Sequence, residues 1–226
     1  MMYKDRPEVN QQNEFTFLHV LHEEALWLKK YHEEHEDKKK LKEELLPVSA
    51  IKLSNGKEPK EHYPKHNGCS SIRKQDSTKL TEKRICRCMY YYKDTSKRCL
   101  HCLLETKWRN IGNIQITNYE WPTKHVYKNV GGMDLILDNT YAVEVKPQGS
   151  TETLTRMFAE IMTYTLDCEF GYKPAICFFE DSQQMKEFEQ CKDNPDLQFI
   201  IKYIKVFYFK ILKTGPVCEF EIKPYN

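Results

Sequence analysis

Apolar residues recur at helical spacing at Phe17, Leu18, Leu21, Ala25, Leu28 and Tyr31 and resume at Leu41, Leu45 and Leu46. This predicts a long helix over about 13–46, ended by Pro47. Its middle, 33–44, is nearly all charge, as on a solvated helical face. Residues 51–83 have no period, and Asn55-Gly56, Pro59, Pro64 and Asn67-Gly68 predict loop. Two strand patterns follow, 131–137 and 141–146, joined by Asp138-Asn139-Thr140. A helix is expected over about 150–167, capped by Ser150 or Thr151 after Gly149. Its core-facing stripe is Leu154, Met157, Phe158, Ile161, Met162 and Thr165. A short buried strand over 174–180 leads to a helix capped by Asp181 or Ser182 and running to about 192. Residues 199–212 read as strand, 213–216 as a turn and 217–222 as a closing strand. The sum is an α/β (α+β) fold, a mixed sheet flanked by helices.

The two facing strands hold the most informative chemistry. A hairpin centred on Asn139 sets Asp134 opposite Glu144. One face then carries Met133, Leu135, Leu137, Tyr141, Val143 and Val145. The other carries Asp134, Ile136, Ala142, Glu144 and Lys146. A slip of one residue would break the apolar strip, so the pattern fixes the register. Directly opposed side chains have Cβ atoms roughly 4.5–5.5 Å apart, and two carboxylates that close repel unless a cation lies between them. Oxygen donors suit a hard divalent ion such as magnesium or manganese. A solvated hairpin face would carry the same residue types, so the acids alone leave both readings open.

With the helix that follows included, the layout resembles the PD-(D/E)XK nuclease superfamily. Its pattern is an Asp, a short gap and Glu-X-Lys on the next strand, here Asp134 and Glu144-Val145-Lys146. The resemblance covers about 119–164. It implies a restriction-endonuclease-like core and a metal-dependent nuclease hydrolysing DNA. It also implies that Asp134, Glu144 and the Val145 carbonyl hold Mg2+ or Mn2+ while Lys146 assists the attacking water. Gln148 would contact the phosphate backbone. RecB-like members carry Gln-X-X-X-Tyr on the following helix. Here Glu160 stands at the Gln position and Tyr164 matches the Tyr, so a substrate contact at 160 is in doubt; a solvated Glu160 and a boundary Tyr164 fit equally. Nucleases of this kind often add an acid from upstream. Glu105 and Glu120 are candidates near the site, and Glu23 and Glu24 more distant ones.

Cysteine count changes the picture next. The chain has 9 cysteines, and no apolar signal core follows Met1-Met2-Tyr3-Lys4-Asp5-Arg6, so a secreted disulfide framework is not expected. Cys86-Arg87-Cys88 and Cys99-Leu100-His101-Cys102 have zinc-ribbon spacing, with 89–92 as a strand and 93–97 as its turn. The stretch is too polar for four core thiols, and structural Zn2+ is expected, with Cys69, His66 or His101 able to replace one ligand. An Fe–S cluster uses the same ligands, but RecB-like nucleases place most of theirs after the core, whereas all four here precede it. Cys168, Cys177, Cys191 and Cys218 suit packed thiols.

Three segments are therefore expected: 1–47 helical, 48–110 a polar linker with the cysteine hairpin, and 111–226 a nuclease-like core. Net charge is only +2, which neither favours nor excludes nucleic acid. Lys57, Lys60, Lys79, Lys83, Arg84 and Arg87, interleaved with Tyr63 and Tyr90 to Tyr92, fit a nucleic-acid-facing patch or ordinary loop chemistry, and the second is preferred. His19, His22, His32 and His35 read as surface or boundary residues. No run reaches the roughly 20 apolar residues of a membrane span. An intracellular, cytoplasmic protein acting on DNA is expected, with RNA not distinguished and the long helix a possible dimer arm. The rival is a catalytically inactive nuclease-like fold serving as a zinc-containing nucleic-acid or protein binding module.

Overall fold

The hairpin around Asn139 forms in the register its apolar pattern dictates. The computed structural model describes residues 14–34, 82–92, 106–122, 132–166, 168 and 170–225. Strand β3 (Gly132–Leu137) meets β4 (Tyr141–Val145) antiparallel, with Leu135 opposite Val143, Ile136 opposite Ala142 and Leu137 opposite Tyr141. Asp138 and Asn139 take left-handed backbone (φ 49° and 51°), which short polar side chains tolerate, and Thr140 N–H donates to the Leu137 carbonyl at 2.8 Å.

Five more strands extend the sheet: β1 (Lys107–Asn110), β2 (Ile116–Pro122), β5 (Lys173–Phe179), β6 (Lys205–Lys213) and β7 (Val217–Pro224). The order is β1-β7-β6-β5-β4-β3-β2. β4, β5 and β6 run parallel, and so do β1 and β7; the remaining pairs are antiparallel. The crossover from β4 to β5 is helix α3 (Leu154–Leu166), as a parallel pair requires. Thr153 caps it, its Oγ1 accepting from Arg156 N–H at 3.2 Å, so the helix starts later than the expected Ser150 or Thr151 cap would put it.

Helices cover both faces. On one side α1 (Glu14–Lys29), α3, α4 (Gln183–Cys191) and α5 (Pro195–Ile200) bury Leu21, Leu28, Phe158, Ile161, Phe188 and Leu197 against Ile136, Ala142, Ile176 and Phe178. On the other, α2 (Glu82–Tyr91) buries Ile85, Cys88 and Met89 against Leu135, Val143, Val145, Phe179 and Phe209. A central strand covered on both faces reads as one apolar run, as Ala175 to Phe179 does. Each fully buried Phe or Leu contributes about 1.5–3 kcal/mol. A π-helical turn, Lys30–Glu34, ends α1, and His22 lies 3.0 Å from Asp196 on α5.

Three expectations need correction. Residues 89–92 are not a strand: 82–91 is a helix, because burial of Ile85, Cys88 and Met89 on the sheet overrides the β-propensity of the tyrosines. The strand expected over 199–212 begins only at Lys205; Asn194 caps α5 by accepting from Asp196 N–H at 2.8 Å, with Pro195 in the first turn. Met133 leaves the apolar strip and joins the α1/α3 core beside its cross-strand partner Trp121, next to Glu120, whose backbone is left-handed (φ 45°). The opposite hairpin face is not solvated: Asp134, Glu144 and Lys146 are buried beneath the helices. The charged stretch 35–46 and the loop 51–81 lie outside the described residues.

Candidate metal centre

Glu144 is the penultimate residue of β4, and Lys146 follows the strand directly. Asp134 lies near the start of the antiparallel β3, so all three residues gather at one end of the sheet. This is the carboxyl end of the parallel strands β4 and β5, where open α/β sheets usually place their ligands. Asp134 is held by the backbone: its Oδ2 accepts from Val145 N–H at 2.8 Å. A third acid arrives from the other layer. Glu82, in the first turn of α2, brings a carboxylate oxygen to within 4.8 Å of those of Asp134 and Glu144.

Lys146 sits among acids. Its Nζ donates to Glu144 Oε1 (2.5 Å), Glu82 Oε2 (3.1 Å) and Glu160 Oε2 (3.1 Å), and it lies 3.0 Å from Glu152 Oε2. An ammonium has three protons, so the first three carboxylates use its whole donor capacity. Glu152 is left with an ion pair and is the most exposed of the four, at 49%. Glu160 is anchored from behind by Arg156, whose Nε donates to Oε1 at 2.7 Å. The loop between β4 and α3 is clamped by α4 and the turn before it: Gln148 donates to Asp181, Gln184 to the Glu152 carbonyl, and Leu154 N–H to Glu187 at 2.7 Å.

Charge governs the behaviour of the cluster. Five carboxylates (Glu82, Asp134, Glu144, Glu152, Glu160) face two cations, Lys146 and Arg156. Burial, then the charge of Glu82, holds the Asp134 carboxyl well above its usual range. Burial, then Asp134, does the same to Glu144. Burial alone would lower the Lys146 ammonium, but Glu144, Glu160, Glu82 and Asp134 together outweigh it and hold the proton firmly. Burial would likewise raise Glu160, yet Lys146 and Arg156 prevail and keep it ionised. The Tyr164 phenol is raised by burial and by Glu144 and Glu160, which sets it beside the same acids. Negative charge in excess, low exposure and three hard oxygen donors fit a divalent cation such as Mg2+ or Mn2+, which takes carboxylates and leaves other positions to water or phosphate.

Of the residues singled out by sequence, Asp134, Glu144, Lys146, Glu160 and Tyr164 come together. Val145 contributes its N–H, through Asp134. Gln148 points to Asp181 rather than to the acids. Glu120 pairs with Lys83 (3.8 Å) and Arg87 (3.9 Å), and Glu105 lies outside the described residues. The third acid, Glu82, was missed. Its signal was the helical spacing of Ile85, Cys88 and Met89 behind it. Glu24 is buried in α1 with both carboxylate oxygens lacking a hydrogen-bond partner among the described residues.

Of the four clustered cysteines, Cys86 and Cys88 fall among the described residues. Cys86 and Cys88 are buried on α2, and Cys88 Sγ accepts from Trp108 N–H at 3.2 Å. Burial, then Asp134, Glu82 and Glu144, holds the Cys86 thiol well above its usual range. Cys99, Cys102, Cys69, His66 and His101 lie outside the described residues. Cys177, Cys191 and Cys218 are buried, as packed thiols would be. Among the described residues no helix is long and apolar enough to cross a membrane. The chain matches no family model, no curated protein and no solved structure.

Proposed function

We propose that the chain is a metal-dependent nuclease of the PD-(D/E)XK kind, hydrolysing DNA phosphodiester bonds. The observation that carries this reading is the convergence of Glu82, Asp134 and Glu144 within 4.8 Å, with the Lys146 amine 2.5 Å from Glu144. The β2-β3-β4 meander followed by α3 and the parallel β5 supports a restriction-endonuclease-like core.

Asp134, Glu144 and Glu82 would hold Mg2+ or Mn2+, with the Val145 carbonyl as a further donor. A divalent ion held there would supply Lewis acidity for a bound water and offset charge on the scissile phosphate. The chain's own groups do the rest. The Val145 N–H fixes the Asp134 carboxylate. Lys146 keeps its proton and presents a compact positive charge, suited to orienting a water and to stabilising the anion that forms on phosphorus–oxygen cleavage. Glu160, anchored by Arg156, positions that amine.

One observation favours the rival binding module: Lys146 spends all its protons on carboxylates, a self-sufficient ion cluster. Cleavage of single-stranded, duplex and branched DNA in Mg2+ or Mn2+, beside Lys146→Ala, separates the two. The nuclease cuts at least one substrate and the variant none. Failure of the wild-type chain to cut any of them in either metal favours the module.

A further inference from the structure

Glu152 differs from the other acids around Lys146 in how it is held. Glu144, Glu82 and Glu160 each accept a proton of the ammonium, whereas Glu152, 3.0 Å from Nζ, is bound by charge alone. Lys146 is 5% exposed and Glu152 49%, against 28% for Glu82 and less for the other two. Of the groups around the buried amine, Glu152 is therefore the one that chiefly faces solvent. Its backbone is fixed on both sides. Glu152 N–H donates to Ser150 Oγ at 3.2 Å, and its carbonyl accepts from the buried Gln184. Leu154 N–H, two residues on, donates to Glu187 at 2.7 Å. The loop between β4 and α3 thus delivers a single solvent-facing carboxylate to Lys146. Glu152 stands outside the three acids, Glu82, Asp134 and Glu144, whose oxygens lie within 4.8 Å of one another.

We infer that Glu152 occupies the place of a substrate phosphate at Lys146 and moves aside when a phosphodiester arrives. A carboxylate and a phosphate oxygen offer an ammonium the same kind of acceptor. Glu152 is also the one acid of the four that can leave without breaking a hydrogen bond to Lys146 and without crossing a dry interior. Charge gives the contact its consequence. With one divalent ion bound, the five carboxylates still exceed that ion, Lys146 and Arg156 by one charge. Glu152 supplies that excess on the side from which an anion enters, so it opposes the substrate twice, by filling its place and by repelling it. The inference rests on the nuclease reading for its substrate, but anion binding can be measured without DNA.

The test is calorimetric titration of inorganic phosphate into the full chain in Mg2+, comparing the wild type with Glu152→Gln and Glu33→Gln. Glu33, an exposed acid of the π-helical turn, controls for the loss of one negative charge anywhere on the surface. Glu152→Gln, at an exposed loop position, keeps the fold, which circular dichroism checks. It binds phosphate roughly 5-fold more tightly or better, the effect of one unit charge at about 4 Å even in bulk water. Glu33→Gln binds like the wild type, and the rise in Tm that Mg2+ produces survives in Glu152→Gln. Unchanged phosphate affinity in Glu152→Gln, or an equal gain in Glu33→Gln, overturns the inference. So does loss of the Mg2+ shift in Glu152→Gln, which would make Glu152 a metal ligand. Tighter phosphate binding by Glu152→Gln when neither protein cuts DNA would refute the nuclease reading alone; cleavage by the wild type with unchanged phosphate affinity in the variant would refute this inference alone.

Discussion

Replacing Lys146 by methionine keeps the length of the side chain and removes its charge. The cost depends on which carboxylates are stranded. Glu82 and Glu152 are partly exposed and keep water, and Glu160 keeps Arg156. Glu144, 4% exposed, loses its only ion-pair partner among the described residues. The loss is therefore that of one broken buried pair, about 3–5 kcal/mol at pH 8. Lys146 stays charged in both folded and unfolded chains far above neutrality, so its contribution is constant between pH 5 and 8. Glu144 is what varies. Its folded-state pKa is raised, and without Lys146 it rises further. The unfolded chain gives up that proton above about pH 4.3, so the folded variant loses stability as pH climbs past that point. Its deficit is then smaller at pH 5 than at pH 8. Urea unfolding in EDTA, followed by tryptophan fluorescence, reads both values. A cost below about 1 kcal/mol at pH 8, or an equal cost at pH 5, would refute the reasoning.

A divalent ion at about a hundred times its Kd adds about 2.7 kcal/mol to the folded state, a rise in Tm of about 5–11 °C for a chain of this size. Scanning calorimetry with Mg2+ or Mn2+ should give that shift for the wild type and none for Asp134→Asn or Glu82→Gln; an undiminished shift in Glu82→Gln removes Glu82 from the site. Burial, then Glu23, raises the Glu24 carboxyl, so it folds protonated while the unfolded chain ionises, and it draws stability down as pH rises. Glu24→Met should therefore gain about 1–3 kcal/mol at pH 8 and less at pH 5; a loss at pH 8 in urea unfolding would show that Glu24 has a partner.

The hairpin was legible because a period-two pattern with one apolar face admits a single register. Asp134, Glu144 and Lys146 follow from that register without any knowledge of packing. Glu82 was not legible for the opposite reason. It belongs to a helix remote in sequence, and the Met89-Tyr90-Tyr91-Tyr92 run carries strong strand propensity that only burial against β1–β3 overrules. Cys86 and Cys88, which their spacing suggested as one half of a zinc site, lie on a single helix, a placement the tyrosine run beside them hid. Glu160 was visible as a helix position but not as an ion-pair anchor. Its neighbour Arg156 stands four residues earlier, and Lys146 reaches it from the preceding strand only once the crossover closes.

Cleavage by Glu144→Ala tests the central claim most directly. In Mg2+, with the fold checked by circular dichroism, the wild-type chain should cut DNA and the variant should not, while unfolding no more readily than the wild type in EDTA. Undiminished cleavage by folded Glu144→Ala would contradict the account.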